Sequence, residues 1–231
     1  PTELIRDILR YGADVEVLEP PELREAVAVQ LEAAIGRYRD AGHGPAAIPE
    51  ASRVPDAADG AGTLVRAIAF AAERHRDQRR KDAGATPYVN HPIELVRVLV
   101  EEGGVREPDV LVAAALHDTI EDTETTPEEI EARFGARVRA IVEEVTDDKS
   151  LEKHERKALQ VRDAPGKSRE AKLVKLADKI CNLRDLLAAP PAGWSRERRL
   201  EYVDWAERVA CGLRGSNVEL ERAFDEVAGD A

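Results

Sequence analysis

Seven consecutive residues, Val110 to Leu116 (VLVAAAL), carry no polar side chain, and the run ends directly on His117 and Asp118. It is far short of the roughly 20 apolar residues a membrane span needs, so it reads as a buried helix of a globular core. That helix delivers His117 and Asp118 at its end, with Glu121 and Asp122 one turn later. Four ionisable groups in six residues after a hydrophobic helix are costly unless something compensates them. A divalent cation would do so. A polar helix end in water is the other reading of an isolated His-Asp pair.

The chain around this run is organised as helices. Leu64, Val65, Ile68, Ala69 and Ala72 make one apolar stripe, and Val138, Ile141, Val142 and Val145 make another at helical spacing. Thr126-Pro127-Glu128-Glu129 predicts a capping box with proline at the first helical position, and Phe134-Gly135 closes that helix. Ser168, Ser195 and Asn217 are predicted N-caps of three later helices. No run of alternating β-branched residues occurs here, so residues 63–231 read as one all-α domain.

Residues 40–62 hold three prolines, four glycines and seven alanines with hardly any large apolar side chain, and 41–62 is expected to be a linker. Residues 1–40 read as a short α/β appendage: Val15 and Val17 alternate as in a strand, and Pro20-Pro21 opens a helix carrying Leu23, Val27, Leu31, Ile35 and Tyr38. A unit that small lacks a core of its own. With no methionine and an opening at Pro1 inside such a segment, the chain reads as a piece of a longer one.

With 46 acidic against 34 basic side chains, the 231-residue chain has a formal net charge of −12. This disfavours nucleic acid and anionic membrane surfaces as partners; an anionic ligand must meet a local basic patch. Residues 74–81, RHRDQRRK, supply one, with five basic residues and one acidic. The segment also reads as a solvated helix end. Lys149, Lys153 and Arg198 are further candidate phosphate contacts. The two cysteines, Cys181 and Cys211, form no close-spaced framework, which favours a reducing, cytoplasmic setting. The oligomeric state is not legible.

Of the five histidines, His43 lies in the linker, and His75 and His154 sit among charges and read as solvated. His91 stands in Tyr88-Val89-Asn90-His91-Pro92, where the following proline favours an extended conformation at a helix mouth. Alone it reads as a turn or N-terminal capping residue more readily than as a ligand. In LVKLADKICNL, residues 173–183, the stripe continued by Leu187 leaves Asp178 and Asn182 on the opposite side, flanked by Val174 and Cys181, so Asp178 is expected to be partly buried. Two imidazoles and two carboxylates, His91, His117, Asp118 and Asp178, suit Mn²⁺, Fe²⁺ or Zn²⁺. Such an ion activates water and polarises a phosphoryl oxygen, while Glu121 and Asp122 are placed for acid–base work.

The order H…HD…D resembles the signature of the HD superfamily of helical metal-dependent phosphohydrolases. The words RRKDAGATPYVNHP, LHDTIEDT, VEEVTDDKSLEKHERKALQ, KLVKLADKICNLRDL and GWSRERRLEYVDWA further resemble the hydrolase domain of the RelA/SpoT family, in particular its small single-domain alarmone hydrolases of the metazoan SpoT-homologue type. The resemblance implies an HD-domain helical fold and hydrolysis of the 3′-pyrophosphate of ppGpp or pppGpp to GDP or GTP, with one Mn²⁺ per site. It also implies His91, His117, Asp118 and Asp178 as metal ligands, Glu121 and Asp122 as the catalytic pair, and Arg80, Lys81, Lys153, Asn182, Arg198 and Tyr202 as substrate contacts. Within these 231 residues the hydrolase domain is expected without a synthetase domain. NADPH 2′-phosphatase activity at the same site, and alarmone sensing without turnover, are the alternatives. Separately, DVEVLEPPELREAVA resembles the C-terminal segment of WYL-domain regulators.

Overall fold

A computed structural model describes residues 60–231 except 83 and 192, together with Val29. The expectations for residues 1–40, and for the linker before Gly60, lie outside the described residues. The chain divides into two units between Pro55 and Asp56, and the second is built as follows. Helix α1 spans Gly60–Arg74, α2 Asn90–Arg97 with a π-helical turn Val98–Glu102 continuing it, α3 Pro108–Leu116 and α4 Thr119–Asp122. Then come α5 Pro127–Phe134, α6 Ala136–Val145, α7 Lys153–Asp163, a 3₁₀ turn Ala164–Gly166, α8 Arg169–Ala188, α9 Arg196–Leu213 and α10 Val218–Asp230. Among the described residues the only β pairing is one antiparallel bridge, Arg79 to Pro87. The all-α architecture is the one expected, and no described helix is long and apolar enough to cross a membrane.

The apolar run is the core: every residue from Val110 to Leu116 is buried, with α1, α2, α6 and α8 packed around it. Helix α8 is the second axis, contacting α2, α3, α6, α9 and α10. A helix enclosed on so many sides has no solvent stripe. Lys175 and Lys179 are accordingly buried beside Leu173, Leu176, Ile180 and Leu183, while Leu187, expected in the stripe, is largely exposed and Leu186 is buried instead.

The local punctuation is as expected. Thr126 Oγ1 accepts from Glu129 N at 3.2 Å, with Pro127 in the first turn. The reciprocal half of that box is not made, because the Glu129 carboxylate turns to Arg74 and Arg133. Gly135, at φ 92°, closes α5 and turns the chain into α6, a backbone angle that glycine adopts without steric cost. Ser168, Ser195 and Asn217 each accept an amide hydrogen bond as N-caps.

Two further expectations are corrected. Residues 60–62 belong to α1 rather than to the linker. The fully buried face of α1 is Ala67, Phe70 and Ala71; of the expected stripe Leu64 and Ile68 pack partly buried against the core, whereas Val65 is 64% exposed. The small side chains of Ala67 and Ala71 let α1 approach α3 closely, and the Phe70 ring fills the space beside them, meeting Phe134 edge-on at 5.7 Å.

Candidate active site

His117 is the C-cap of α3. Its Nδ1 lies 2.9 Å from the Ala114 carbonyl; since a carbonyl only accepts, Nδ1 carries the hydrogen and Nε2 is turned the other way. Nε2 is buried without a hydrogen-bond partner. It sits 2.8 Å from Oδ2 of Asp118, which brings an imidazole nitrogen and a carboxylate oxygen side by side.

His91 is corrected from the extended form to helical, in the first turn of α2. Pro92 at that position forfeits no helix bond, since early N–H groups have no intrahelical acceptor, and His91 N instead donates to Tyr88 O at 2.9 Å. The ring is buried, 5.2 Å from the His117 ring between centroids. Its Nε2 approaches Asp178 Oδ1 at 3.2 Å, and its Nδ1 is buried without a partner.

One ligand atom each of His91, His117 and Asp118 lies within 4.8 Å of the others. Asp178 joins this group through His91 and not as a fourth member of the same tight cluster. Its carboxylate is held by Asn182 Nδ2 at 2.6 Å and Lys179 Nζ at 3.1 Å. Burial works against charge on both aspartates, yet Lys179 and the His91 ring hold the Asp178 carboxyl well below the usual range. His117, with His91, does the same for Asp118. Burial also disfavours a charged His117, but the carboxylates of Asp118 and Asp178 outweigh it and push the ring up to about 9. The centre thus favours positive charge, and its unpartnered imidazole nitrogens and low-pKa carboxylates fit a divalent cation.

Beside this centre lies a cavity of about 750 Å³, lined among others by Arg80, Lys81, His91, Asp122, Asn182 and Tyr202. The basic segment is a loop beyond the end of α1, so Arg79, Arg80 and Lys81 form one wall, and Tyr88, Trp194 and Tyr202 contribute aromatic faces. Arg80 donates to Asn182 Oδ1 at 3.3 Å and to Asp185. Lys153 and Arg198 are not part of the lining. They stand close enough together that burial, Arg198 and Lys81 all press the Lys153 ammonium below its ordinary value, and Arg198 lies over Trp194 at 4.5 Å.

The chain neighbours Glu121 and Asp122 part company. Asp122 lines the cavity and accepts from Gln78 Nε2 at 2.8 Å and from Lys149 Nζ. Glu121 turns away, accepting from Asp147 N at 3.2 Å, with Arg156 Nη1 at 3.7 Å. Burial, then the Asp147 and Asp118 charges, push its carboxyl above the usual range.

Sequence reasoning missed three contributors. Tyr88, three residues before His91, donates its hydroxyl to Asp118 Oδ2. Lys179, next to Asp178, reads as a solvent residue and is buried. His75, expected to be solvated, is 3% exposed, a correction taken up below. His154 is exposed as expected.

An HD-domain family model matches residues 67–205, and a WCX-domain model matches residues 1–35, the part that resembles the end of WYL regulators. The chain is 58% identical over 164 residues to the guanosine-3′,5′-bis(diphosphate) 3′-pyrophosphohydrolase MESH1 of Homo sapiens, covering 71% of this chain and 92% of that protein. It is 56% identical over 170 residues to MESH1 of Xenopus tropicalis, covering 74% and 95%. A solved structure of a metazoan orthologue of SpoT that hydrolyses ppGpp superposes with a TM-score of 0.71 at 49% identity, covering 73% of this chain and 94% of that one.

Proposed function

The chain belongs to the HD-domain family, and on that premise we propose that it is a (p)ppGpp 3′-pyrophosphohydrolase, converting ppGpp or pppGpp and water to GDP or GTP and pyrophosphate. The observation that carries this is the His91–His117–Asp118 cluster beside a cavity walled by Arg79, Arg80 and Lys81 on one side and by aromatic rings on another. Cations meet phosphates, and rings suit a purine face.

His91, His117 and Asp118, with Asp178, would hold Mn²⁺, which supplies Lewis acidity toward water and phosphoryl oxygen when bound. Water adds to the phosphorus bonded to the 3′-oxygen, that P–O bond breaks, pyrophosphate carries off the water oxygen, and the 3′-oxygen leaves as a hydroxyl. Asp122, at the cavity wall, orients the water and takes its proton. Glu121, set outside the lining, keeps its proton to higher pH than an ordinary glutamate and supplies one for the 3′-oxygen through an intervening water. Arg80, Lys81 and Asn182 hold the nucleotide from the lining, with Tyr202 against its base or ribose, and Lys153 and Arg198 meet phosphate at the rim.

The test uses the full chain, stripped with chelator and reloaded with Mn²⁺, incubated separately with ppGpp and NADPH. GDP and pyrophosphate release that is lost with chelator and in Asp118→Asn is the expected result. No GDP from ppGpp, or faster phosphate release from NADPH, overturns the reading.

A further inference from the structure

His75 lies just past the end of α1, buried, with its ring 4.8 Å from that of Tyr88. A buried imidazole is costly unless its polar atoms are engaged. Its Nδ1 is 2.6 Å from Gln78 Oε1, and Gln78 Nε2 reaches Asp122 Oδ2 at 2.8 Å. The backbone sets this spacing: Gln78 N donates to His75 O at 2.9 Å, and Tyr88 N donates to Gln78 O at 3.1 Å, closing the loop whose ends these residues occupy.

We propose that His75 and Gln78 are positioning residues, a two-link hydrogen-bonded relay that fixes the Asp122 carboxylate at the cavity wall. The direction of the relay follows from chemistry. Asp122 accepts from Lys149 at one oxygen and needs a donor at the other, so the Gln78 amide presents its NH₂ to Asp122 and its oxygen to His75. That oxygen only accepts, so the His75 Nδ1 must carry hydrogen. An amide free to flip would face Asp122 with either end, and the His75 donor removes that freedom. The same ring braces Tyr88, whose hydroxyl donates to Asp118, so one side chain supports both the acid–base residue and a metal-ligand candidate. The assignment of Asp122 to the acid–base step rests on the reading above; the relay itself rests on the contacts.

Two substitutions separate the hydrogen bond from the ring. His75→Phe keeps the ring against Tyr88 and removes the donor, whereas His75→Asn places an amide NH₂ near the Nδ1 position and removes the ring. Gln78→Met removes both links at similar length. With ppGpp, the Phe and Met variants are expected to lose on the order of 10–100-fold in kcat with KM nearly unchanged. His75→Asn should recover most of that loss, and the Phe/Met double variant should be no slower than the slower single variant. Wild-type kcat in His75→Phe, His75→Asn as slow as His75→Phe, or multiplicative losses in the double variant would overturn the relay.

A readout independent of turnover is ¹⁵N NMR of the histidine rings of the full chain, with His75 assigned by the signal lost in His75→Asn. A protonated Nδ1 is expected, and an unprotonated Nδ1 overturns the relay. Absence of ppGpp turnover in the wild type would count against the functional reading alone, since the ring signal would still decide the relay.

Discussion

Replacing Lys179 by methionine should destabilise the protein strongly in chelator and much less with Mn²⁺. The Lys179 and Asp178 side chains are 4% and 13% exposed, with Nζ 3.1 Å from Oδ2. At an effective dielectric of about 20, two unit charges at that distance attract by about 5 kcal/mol before desolvation is subtracted. Removing one partner of a buried pair costs about 3–5 kcal/mol, because the other charge is stranded. Asp178 keeps its contacts to Asn182 and His91, which places the expected loss near the lower end, about 3 kcal/mol. The Lys179 ammonium also lies over Trp205 at 4.5 Å, but a methionine sulfur makes a comparable contact with an aromatic ring. For a domain of this size about 3 kcal/mol lowers Tm by roughly 6–12 °C. A cation held by Asp178 supplies the missing positive charge, so with saturating Mn²⁺ the fall should be less than half as large. Circular dichroism melts of wild type and Lys179→Met in both conditions measure this. A fall below about 3 °C in chelator shows that the carboxylate does not need the lysine; equal falls in both conditions show that Asp178 does not share its charge with the ion.

Tyr88→Phe removes the donor that orients Asp118 and is expected to weaken Mn²⁺ binding about 10–100-fold in calorimetric titration; unchanged affinity would show that the hydroxyl orients nothing. Asp147→Asn keeps the backbone donor to Glu121 while removing one of the charges that, after burial, raise its pKa. If protonated Glu121 is the acid, activity falls as pH rises through its raised pKa, so this alkaline limb should move to lower pH in the variant; a limb that stays or moves upward refutes the coupling. Gly212→Ala in α9 pits about 1 kcal/mol of helix propensity against a new Cβ only 2.7 Å from Ala164 Cβ and 2.9 Å from Pro165 Cδ. Overpacking costs typically about 1–3 kcal/mol, so Tm should fall, and a rise would show that the 3₁₀ turn yields freely.

The features legible in the sequence are those decided within a helical turn or two. The Val110–Leu116 run, the α6 stripe and the caps at Thr126, Ser168, Ser195 and Asn217 stand where local chemistry puts them. Where a neighbour decides, local reasoning fails. Bulk favoured Val65 as part of the inner face of α1, but it is exposed, and close approach to α3 selects Ala67 and Ala71. The proline after His91 favours extension, but the first turn of a helix tolerates it. Lysine reads as solvent-facing unless its helix is enclosed, as α8 is at Lys175 and Lys179. His75, Gln78 and Tyr88 have no shared periodicity; closure of their loop brings them together.

The same distinction governs the acidic pair. Adjacent in sequence, Glu121 and Asp122 look interchangeable, yet adjacency on a helix turns side chains about 100° apart, toward different surroundings. Asp122 meets two donors at the cavity wall, whereas Glu121 meets a like charge outside the lining. Its surroundings raise the Glu121 carboxyl above the usual range, which fits the acid's part in the proposed reaction, while the two donors fix the Asp122 carboxylate in place at the cavity wall. The division of labour proposed for them is therefore encoded less in residues 121 and 122 than in Gln78, Lys149 and Asp147, the residues that surround them.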